Sequence, residues 1–231
     1  MLLLWLIAWL LGAAVGRAQS LEPISLPPPR MDGGMPLRQA LRERQSTREF
    51  SREKLPPQVL ADLLWAGFGI NRTDTANRTA PSAMNAQELD LYVATAGGVY
   101  LYDAAAQRLL PFREGDFRAR TGGGDFIKDA PLAILFVADF TRMVKAKPEM
   151  RDYFAAVDTG YVSQNVYLFC ASEGLATVVH ELDKRSLKEA LQLRPEQHII
   201  LAQSVGFPKK PRSVGGRPGP TPGAGALPAP R

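Results

Sequence analysis

Cysteine and histidine are scarce in this chain. Cys170 is the single cysteine, and two histidines occur among 231 residues. One cysteine excludes an intrachain disulfide and any cysteine-rich metal site, so we predict no metal centre. The formal net charge is +5, but no nucleic-acid motif and no basic stripe interleaved with aromatic residues accompanies it. We therefore expect no nucleic-acid partner and a fold that depends on core packing, a cofactor or a partner subunit.

Lys and Arg are absent from the first sixteen residues, which are apolar from Met1 to Val15 and continue into the small residues Gly16 and Ala18. The apolar stretch is shorter than the roughly 20 residues that a membrane-spanning helix needs. The pattern predicts a secretory signal over residues 1–20 and a protein exported to the bacterial periplasm or secreted, with no stable membrane insertion after cleavage. The alternative is an uncleaved membrane anchor.

Proline and glycine mark the segments on either side of the main domain. Residues 21–35 contain Pro27-Pro28-Pro29 and Gly33-Gly34, which predict an extended lead-in rather than a core element. Residues 211–231 are rich in Gly, Pro and Ala, a composition that buries too little apolar surface to order the chain. We predict one domain over residues 36–210 and a disordered tail after it.

Helical periodicity predicts three elements that matter for the site. Leu37, Ala40 and Leu41 recur at helical spacing, and we expect this helix to end near Ser46. Pro56-Pro57 opens a second helix. The stretch from Asp158 to Glu173 is apolar on nearly every side, which predicts a long helix buried in the core or at a subunit interface.

Strand patterns occupy the remaining apolar segments. Leu89, Leu91 and Val93 alternate with polar or small residues before the Gly97-Gly98 turn, which predicts a hairpin. The continuous apolar run 133–137 predicts a fully buried central strand. Because strands and helices do not alternate strictly, we predict an α+β fold with a mixed or antiparallel central sheet flanked by helices.

Arg44, Ser46 and Arg48 occupy every second position of the chain just after the first helix. In an extended turn such side chains point to the same side, and two guanidiniums with a hydroxyl suit a dianionic phosphate. Each charge-assisted bond contributes about 1.5 to 3 kcal/mol. The alternative is a solvated basic turn that pairs with Glu43 and Glu49.

The basic turn is the first of five motifs that together resemble the nitroreductase family of flavoproteins. They occur in the family's order and span nearly the whole domain: Arg44 to Phe50, Pro81 to Gln87, Asp158-Thr159-Gly160 with Gln164-Asn165, Gly174 to Thr177, and Gly206-Phe207-Pro208. The resemblance implies a nitroreductase-like fold, an FMN cofactor and a homodimer with FMN at the subunit interface. The chain also resembles the branch of the family that contains azoline dehydrogenases, the thiazole-oxidase type.

The resemblance also assigns roles to residues. It implies that the FMN phosphate is bound by the basic turn, that Asn85 hydrogen-bonds the isoalloxazine edge, and that Gln45 contacts the ribityl chain or the ring. The remaining expected contacts are Ser82 and Gln87 in the loop beside the ring, the backbone of Val178 and Val179, and Lys209 at the phosphate, with Lys210 or Arg212 as alternatives. His180 is either a proton donor near the flavin or a residue without a catalytic role.

The family's activity implies an FMN-dependent oxidoreductase. It transfers two electrons, in a ping-pong cycle, to or from a small organic substrate such as a nitroaromatic or a quinone, with NAD(P)H as a candidate donor. The sequence contains no nucleophile–base pair, and we assign no catalytic residue. Glu88-Leu89 stands where relatives often carry an aromatic residue. The alternatives are an azoline-type dehydrogenase and an exported flavin-binding protein that transfers electrons or acts as a sensor without turnover of its own.

Overall fold

The computed structural model describes residues 21–210 and, after them, the strand backbone of Ser213–Val214 and Arg217–Pro218. The predicted signal, residues 1–20, lies outside the described residues. So does most of the predicted disordered tail, although the two short strands within it pair with each other antiparallel. No helix in the described part of the chain is long and apolar enough to cross a membrane.

Four α-helices and eleven strands make up the described residues. The helices are α1 (Leu37–Glu43), α2 (Pro57–Phe68), α3 (Arg151–Ser172) and α4 (Lys184–Leu191). The strands are β1 (Ile24–Ser25), β2 (Ile70–Arg72), β3 (Asn77–Arg78), β4 (Leu89–Thr95), β5 (Gly98–Asp103), β6 (Arg108–Glu114), β7 (Leu132–Asp139), β8 (Ala176–His180), β9 (Gln197–Gly206), β10 (Ser213–Val214) and β11 (Arg217–Pro218).

Seven strands form the central sheet in the order β1-β6-β5-β4-β7-β9-β8, and every neighbouring pair is antiparallel. This arrangement confirms the α+β class and selects the antiparallel alternative. All eight residues of β7 are buried, as the continuous apolar run predicts. Phe136 of β7 lies opposite Leu91 of β4 and Leu201 of β9, so β7 forms the middle of the core.

Two predicted helix boundaries are wrong, and tertiary contacts explain one of them. α1 ends at Glu43 and not near Ser46, because Arg44 is already extended (ψ 122°) and the Thr47 N–H donates to the carbonyl of Thr177 instead. α3 begins at Arg151 and not at Asp158. Its first turns carry the exposed residue Tyr153, which the apolar pattern of the later turns does not include.

One side of α3 is exposed in the single chain, so the helix is not covered all round within the domain, and its burial at a subunit interface stays a prediction. Tyr153 and Tyr161 are 59% and 49% exposed, and Gly160 lies between them. A Cβ atom added to Gly160 would meet no atom within 4 Å. In the single chain α3 therefore presents an uncovered apolar strip, while its other sides pack against α1, α2 and the sheet.

The lead-in is part of the core, contrary to the prediction for residues 21–35. β1 pairs with β6, and Leu26 is only 6% exposed within the main hydrophobic cluster. Arg30 donates from its backbone N–H and its Nε to the carboxylate of Asp62, both at 2.8 Å. Short edge strands of this kind cover a sheet edge that would otherwise be open, so the packed domain begins near residue 21.

A carboxyl group is buried where β4 begins. Glu88 is fully buried, and its backbone carbonyl accepts hydrogen bonds from Asp139 N–H and Arg142 Nη2, both at 2.8 Å. Burial, together with the nearby carboxylate of Asp158 on α3, raises the pKa of Glu88 to about 7. The folded chain thus holds this proton more tightly than the unfolded chain does.

We predict that Glu88 makes the protein less stable as pH rises. Its contribution to the free energy of unfolding is fully present below its ordinary pKa of 4.5 and is lost as pH rises through about 7. In Glu88→Gln this loss should disappear, so between pH 5 and pH 8 the wild-type unfolding midpoint should fall relative to the variant. Thermal unfolding across that range measures it, with the exposed Glu149→Gln as control; parallel curves for wild type and Glu88→Gln would contradict the assignment.

Candidate functional site

The basic turn, residues 44–48, is fixed by backbone hydrogen bonds to the ends of two strands. Thr47 N–H donates to the Thr177 carbonyl in β8 at 2.9 Å. Just beyond the turn, Ser51 N–H donates to the carbonyl of Phe207 at 2.8 Å, and Lys209 N–H donates to the carbonyl of Glu49 at 3.0 Å. The structure therefore brings the backbone of Lys209 beside the basic turn, while Arg212 lies outside the described residues.

The two guanidiniums of the turn rest on aromatic rings. The Arg44 guanidinium lies 5.3 Å from the ring centroid of Tyr167, and that of Arg48 lies 5.9 Å from the ring of Phe126. Such contacts orient an arginine without neutralising its charge. No described carboxylate forms an ion pair with either residue, and Glu43 pairs with Arg42 instead. The alternative of a turn paired with Glu43 and Glu49 is therefore not observed.

Ser46 is linked to β8 through a tyrosine. Its Oγ lies 2.8 Å from Tyr167 Oη, and the same Oη accepts a hydrogen bond from Val179 N–H at 2.9 Å. The basic turn and Val179 are thus neighbours. Val178 is different, because its side chain is buried in a cluster with Phe50, Ala130 and Ala176. Gln45 is exposed next to Ser46.

The second predicted half of the site is the ring loop, residues 82–87. Met84, Asn85 and Gln87 all have positive φ angles, between 47° and 55°, which is uncommon for residues other than glycine. Ser82 Oγ accepts from Gln87 N–H at 2.9 Å, and Ala83 N–H donates to Asp158 Oδ2 at 2.7 Å. These bonds hold the strained loop in one shape, which is a feature typical of ligand sites.

The polar side chains of the ring loop bond to one another and to residues 76–78. Asn85 Nδ2 donates to Asn77 Oδ1 at 3.1 Å, and Gln87 Nε2 donates to Asn85 Oδ1 at 3.3 Å. Gln87 Oε1 also accepts from Arg78 Nε at 2.9 Å. Ser82 and Gln87 therefore shape the loop, while Asn85 is exposed at its tip. Their contacts with a flavin stay a prediction.

A single chain does not bring the two halves of the site together on one face of α3. The basic turn attaches to α3 at Tyr167 and the ring loop attaches at Asp158, nine positions away. Nine residues correspond to about two and a half helical turns and a rise of about 13 Å. The two attachment points consequently lie on opposite sides of the helix.

Two residues near the turn were not assigned a binding role from sequence. Phe126 packs under Arg48 and edge-on against His180, with ring centroids 5.6 Å apart. Tyr167 connects Ser46 to β8. The position of Tyr167 in a mostly apolar helix indicates a core residue. Its phenolic hydroxyl is the one feature of the sequence that indicates a polar role.

His180 is held between the basic turn and the sheet. Its Nε2 lies 2.9 Å from Ser204 Oγ, and burial lowers the pKa of its imidazole, which favours the neutral ring at neutral pH. The described residues contain no group of three or more His, Cys, Asp or Glu side chains that could hold a metal ion. The arrangement can bind an anion at the basic turn and a hydrogen-bonding ligand at the ring loop.

Comparison with known proteins identifies the family. The nitroreductase family model matches residues 41–207. A provisionally named nitroreductase from Ralstonia eutropha JMP134 is 41% identical in its crystal structure, with a TM-score of 0.79 over 83% of this chain and 92% of that one. A provisionally named nitroreductase from Methanocaldococcus jannaschii is 28% identical over 74% of this chain and 90% of its own length.

The fold is also shared with a provisionally named nitroreductase from Desulfovibrio desulfuricans, whose crystal structure is a complex with FMN. That chain is 24% identical, with a TM-score of 0.55 over 76% of this chain and 88% of that one. The family match covers the basic turn, the ring loop, α3 and the strands that hold them. The chain therefore belongs to the nitroreductase family and is a flavin-dependent oxidoreductase.

Proposed function

We propose that the flavin is FMN and that the basic turn binds its phosphate. The observation that carries this proposal is the turn itself, where Arg44 and Arg48 form no ion pair with a described carboxylate and flank the hydroxyl of Ser46. Charge-assisted bonds from two guanidiniums suit a dianion. The FMN found in the Desulfovibrio relative supports the choice, and the backbone of Lys209, a further candidate cation, lies beside the turn.

We further propose that the protein acts as a homodimer with FMN at the subunit interface. The basic turn and the ring loop attach to opposite sides of α3, so the basic turn of one copy would meet the ring loop of its partner. The exposed strip with Tyr153, Gly160 and Tyr161 supplies an apolar surface for that contact. Burying such a strip in a symmetric interface is a common route to stability.

The proposed reaction is a two-electron, ping-pong transfer between a donor such as NAD(P)H and a small organic acceptor such as a nitroaromatic or a quinone. FMN supplies the redox chemistry when bound. The chain's part is to hold the phosphate through the basic turn and to place Asn85 and the strained ring loop beside the ring. No catalytic acid or base is assigned, because the proton that accompanies the electrons can come from solvent.

Export favours a second candidate for the direction of the reaction. The apolar segment before residue 20 predicts secretion, and NAD(P)H is not expected outside the cytoplasm. An exported enzyme would oxidise its substrate, as azoline-type dehydrogenases do, or would pass electrons without turnover of its own. Steady-state oxidation of NAD(P)H coupled to a nitroaromatic or a quinone tests the first proposal. A yellow protein that shows no turnover with any such pair supports the electron-transfer alternative.

We predict that Arg44→Ala and Arg48→Ala each weaken FMN binding by roughly tenfold or more, because each removes one charge-assisted contact to the phosphate. Riboflavin carries the same ring without the phosphate, so its affinity should change far less. Fluorescence titration of the apoprotein with both flavins measures the contrast. Arg52→Ala is the matched control, because Arg52 is exposed and pairs with Asp129 at 2.7 Å outside the turn. Equal FMN affinity in wild type and both turn variants would refute the phosphate site.

We predict that Gly160→Arg dissociates the dimer. The side chain has open space in the single chain, so the monomer should fold, but a charged side chain in the middle of the apolar strip would be buried without a partner on association. Sedimentation velocity at micromolar concentration should show a dimer for wild type and a monomer for the variant. Ser186→Arg on the exposed side of α4 serves as control. A wild-type protein that is monomeric when loaded with flavin would contradict the proposal.

We predict that export removes about the first twenty residues. N-terminal sequencing of protein recovered from its native host should begin near residue 21, after the small residues that follow the apolar run. An intact Met1 recovered in the membrane fraction would instead establish the anchor.

A further inference from the structure

The hydroxyl of Tyr167 lies at the junction of three elements. Tyr167 belongs to α3 and is 6% exposed. Its Oη accepts from Val179 N–H in β8 at 2.9 Å and lies 2.8 Å from Ser46 Oγ in the basic turn. Its ring supports the guanidinium of Arg44 at 5.3 Å. One side chain thus contacts two of the three residues proposed to bind phosphate.

The donor and acceptor roles in this chain of groups follow from the hydrogens available. Val179 N–H can only donate, so Tyr167 Oη accepts there, and the phenolic hydrogen needs an acceptor elsewhere. Within the described residues, the polar atoms in contact with Oη are Val179 N and Ser46 Oγ. Donation from Tyr167 to Ser46 is thus the arrangement that gives the phenolic hydrogen an acceptor within the described residues. When Ser46 Oγ accepts from the tyrosine, its own hydrogen remains available for a different acceptor. That hydrogen then points away from Tyr167.

We propose that Tyr167 is a positioning residue that orients the Ser46 hydroxyl as a donor to the phosphate of the flavin and holds Arg44 beside it. The inference rests on the proposed function of the basic turn. It extends that function to a side chain that is only 6% exposed. The order of donors runs from Val179 N–H to Tyr167 Oη–H to Ser46 Oγ–H, and it ends at an anion that accepts only.

Tyr167→Phe tests the proposal, because it removes the hydroxyl and keeps the ring under Arg44. We expect FMN affinity to fall by roughly threefold to tenfold, the range of a single hydrogen bond, while riboflavin affinity stays within twofold of wild type. Tyr92→Phe is the matched control. Tyr92 is also a buried tyrosine, and its Oη accepts from Gln197 Nε2 at 3.0 Å far from the basic turn. Unfolding midpoints of both variants report general destabilisation.

A double-mutant cycle separates positioning from mere support of the fold. If Tyr167 acts through Ser46, then FMN affinity in Tyr167→Phe combined with Ser46→Ala should equal that of Ser46→Ala alone. The phosphorus resonance of bound FMN should move in the same direction in Tyr167→Phe and in Ser46→Ala. In Tyr92→Phe it should stay at the wild-type position.

The outcomes distinguish the inference from the function on which it rests. A wild-type chain that binds FMN no better than riboflavin refutes the phosphate site, and the inference fails with it. A wild-type chain that prefers FMN, with Tyr167→Phe unchanged in FMN affinity or with additive effects in the double variant, overturns the positioning role and leaves the phosphate site standing. An equal loss of FMN and riboflavin affinity in Tyr167→Phe also overturns it.

Discussion

The packing of α3 against the sheet determines where both halves of the site lie. The helix carries Asp158, which accepts from the ring loop, and Tyr167, which contacts the basic turn. Close approach to α2 depends on Gly67, because a Cβ atom there would lie 3.2 Å from Val166 Cγ2, a separation that requires the valine to shift. A shift of α3 relative to the sheet would therefore disturb the ring loop and the basic turn together.

A buried chain of polar groups connects α3 to the two strands behind the turn. Ser163 Oγ donates to Gln203 Oε1 at 2.9 Å, and Gln203 Nε2 donates to Thr177 Oγ1 at 3.0 Å. Thr177 Oγ1 donates in turn to the carbonyl of Ser204 at 2.9 Å. A satisfied polar network in a low-dielectric core specifies one arrangement, since any slip would leave a buried group unpaired. The Thr177 carbonyl that receives Thr47 N–H is fixed by this network.

Local patterns sufficed for elements whose burial is regular along the chain. Apolar alternation predicted β4, and the continuous apolar run predicted the buried strand β7. The limits of α1 and the pairing of β1 were missed because contacts distant in sequence decide them, such as Thr47 with Thr177 and Ile24 with Leu109. In the site, charged residues such as Arg44 and Arg48 were identifiable from their type and spacing. Tyr167 was not, because an aromatic residue in an apolar helix is usually core.

The basic turn and the ring loop attach to opposite sides of α3, and this has a thermodynamic consequence for a site built from two copies of the chain. A ligand held by the basic turn of one subunit and the ring loop of the other binds the dimer better than the monomer, so it shifts the association equilibrium by mass action. The same interface would cover the exposed strip around Tyr161. With Cys170 the single cysteine, no intrachain disulfide can stabilise the chain. Cofactor binding and dimer formation would then supply stability jointly, because each one favours the other.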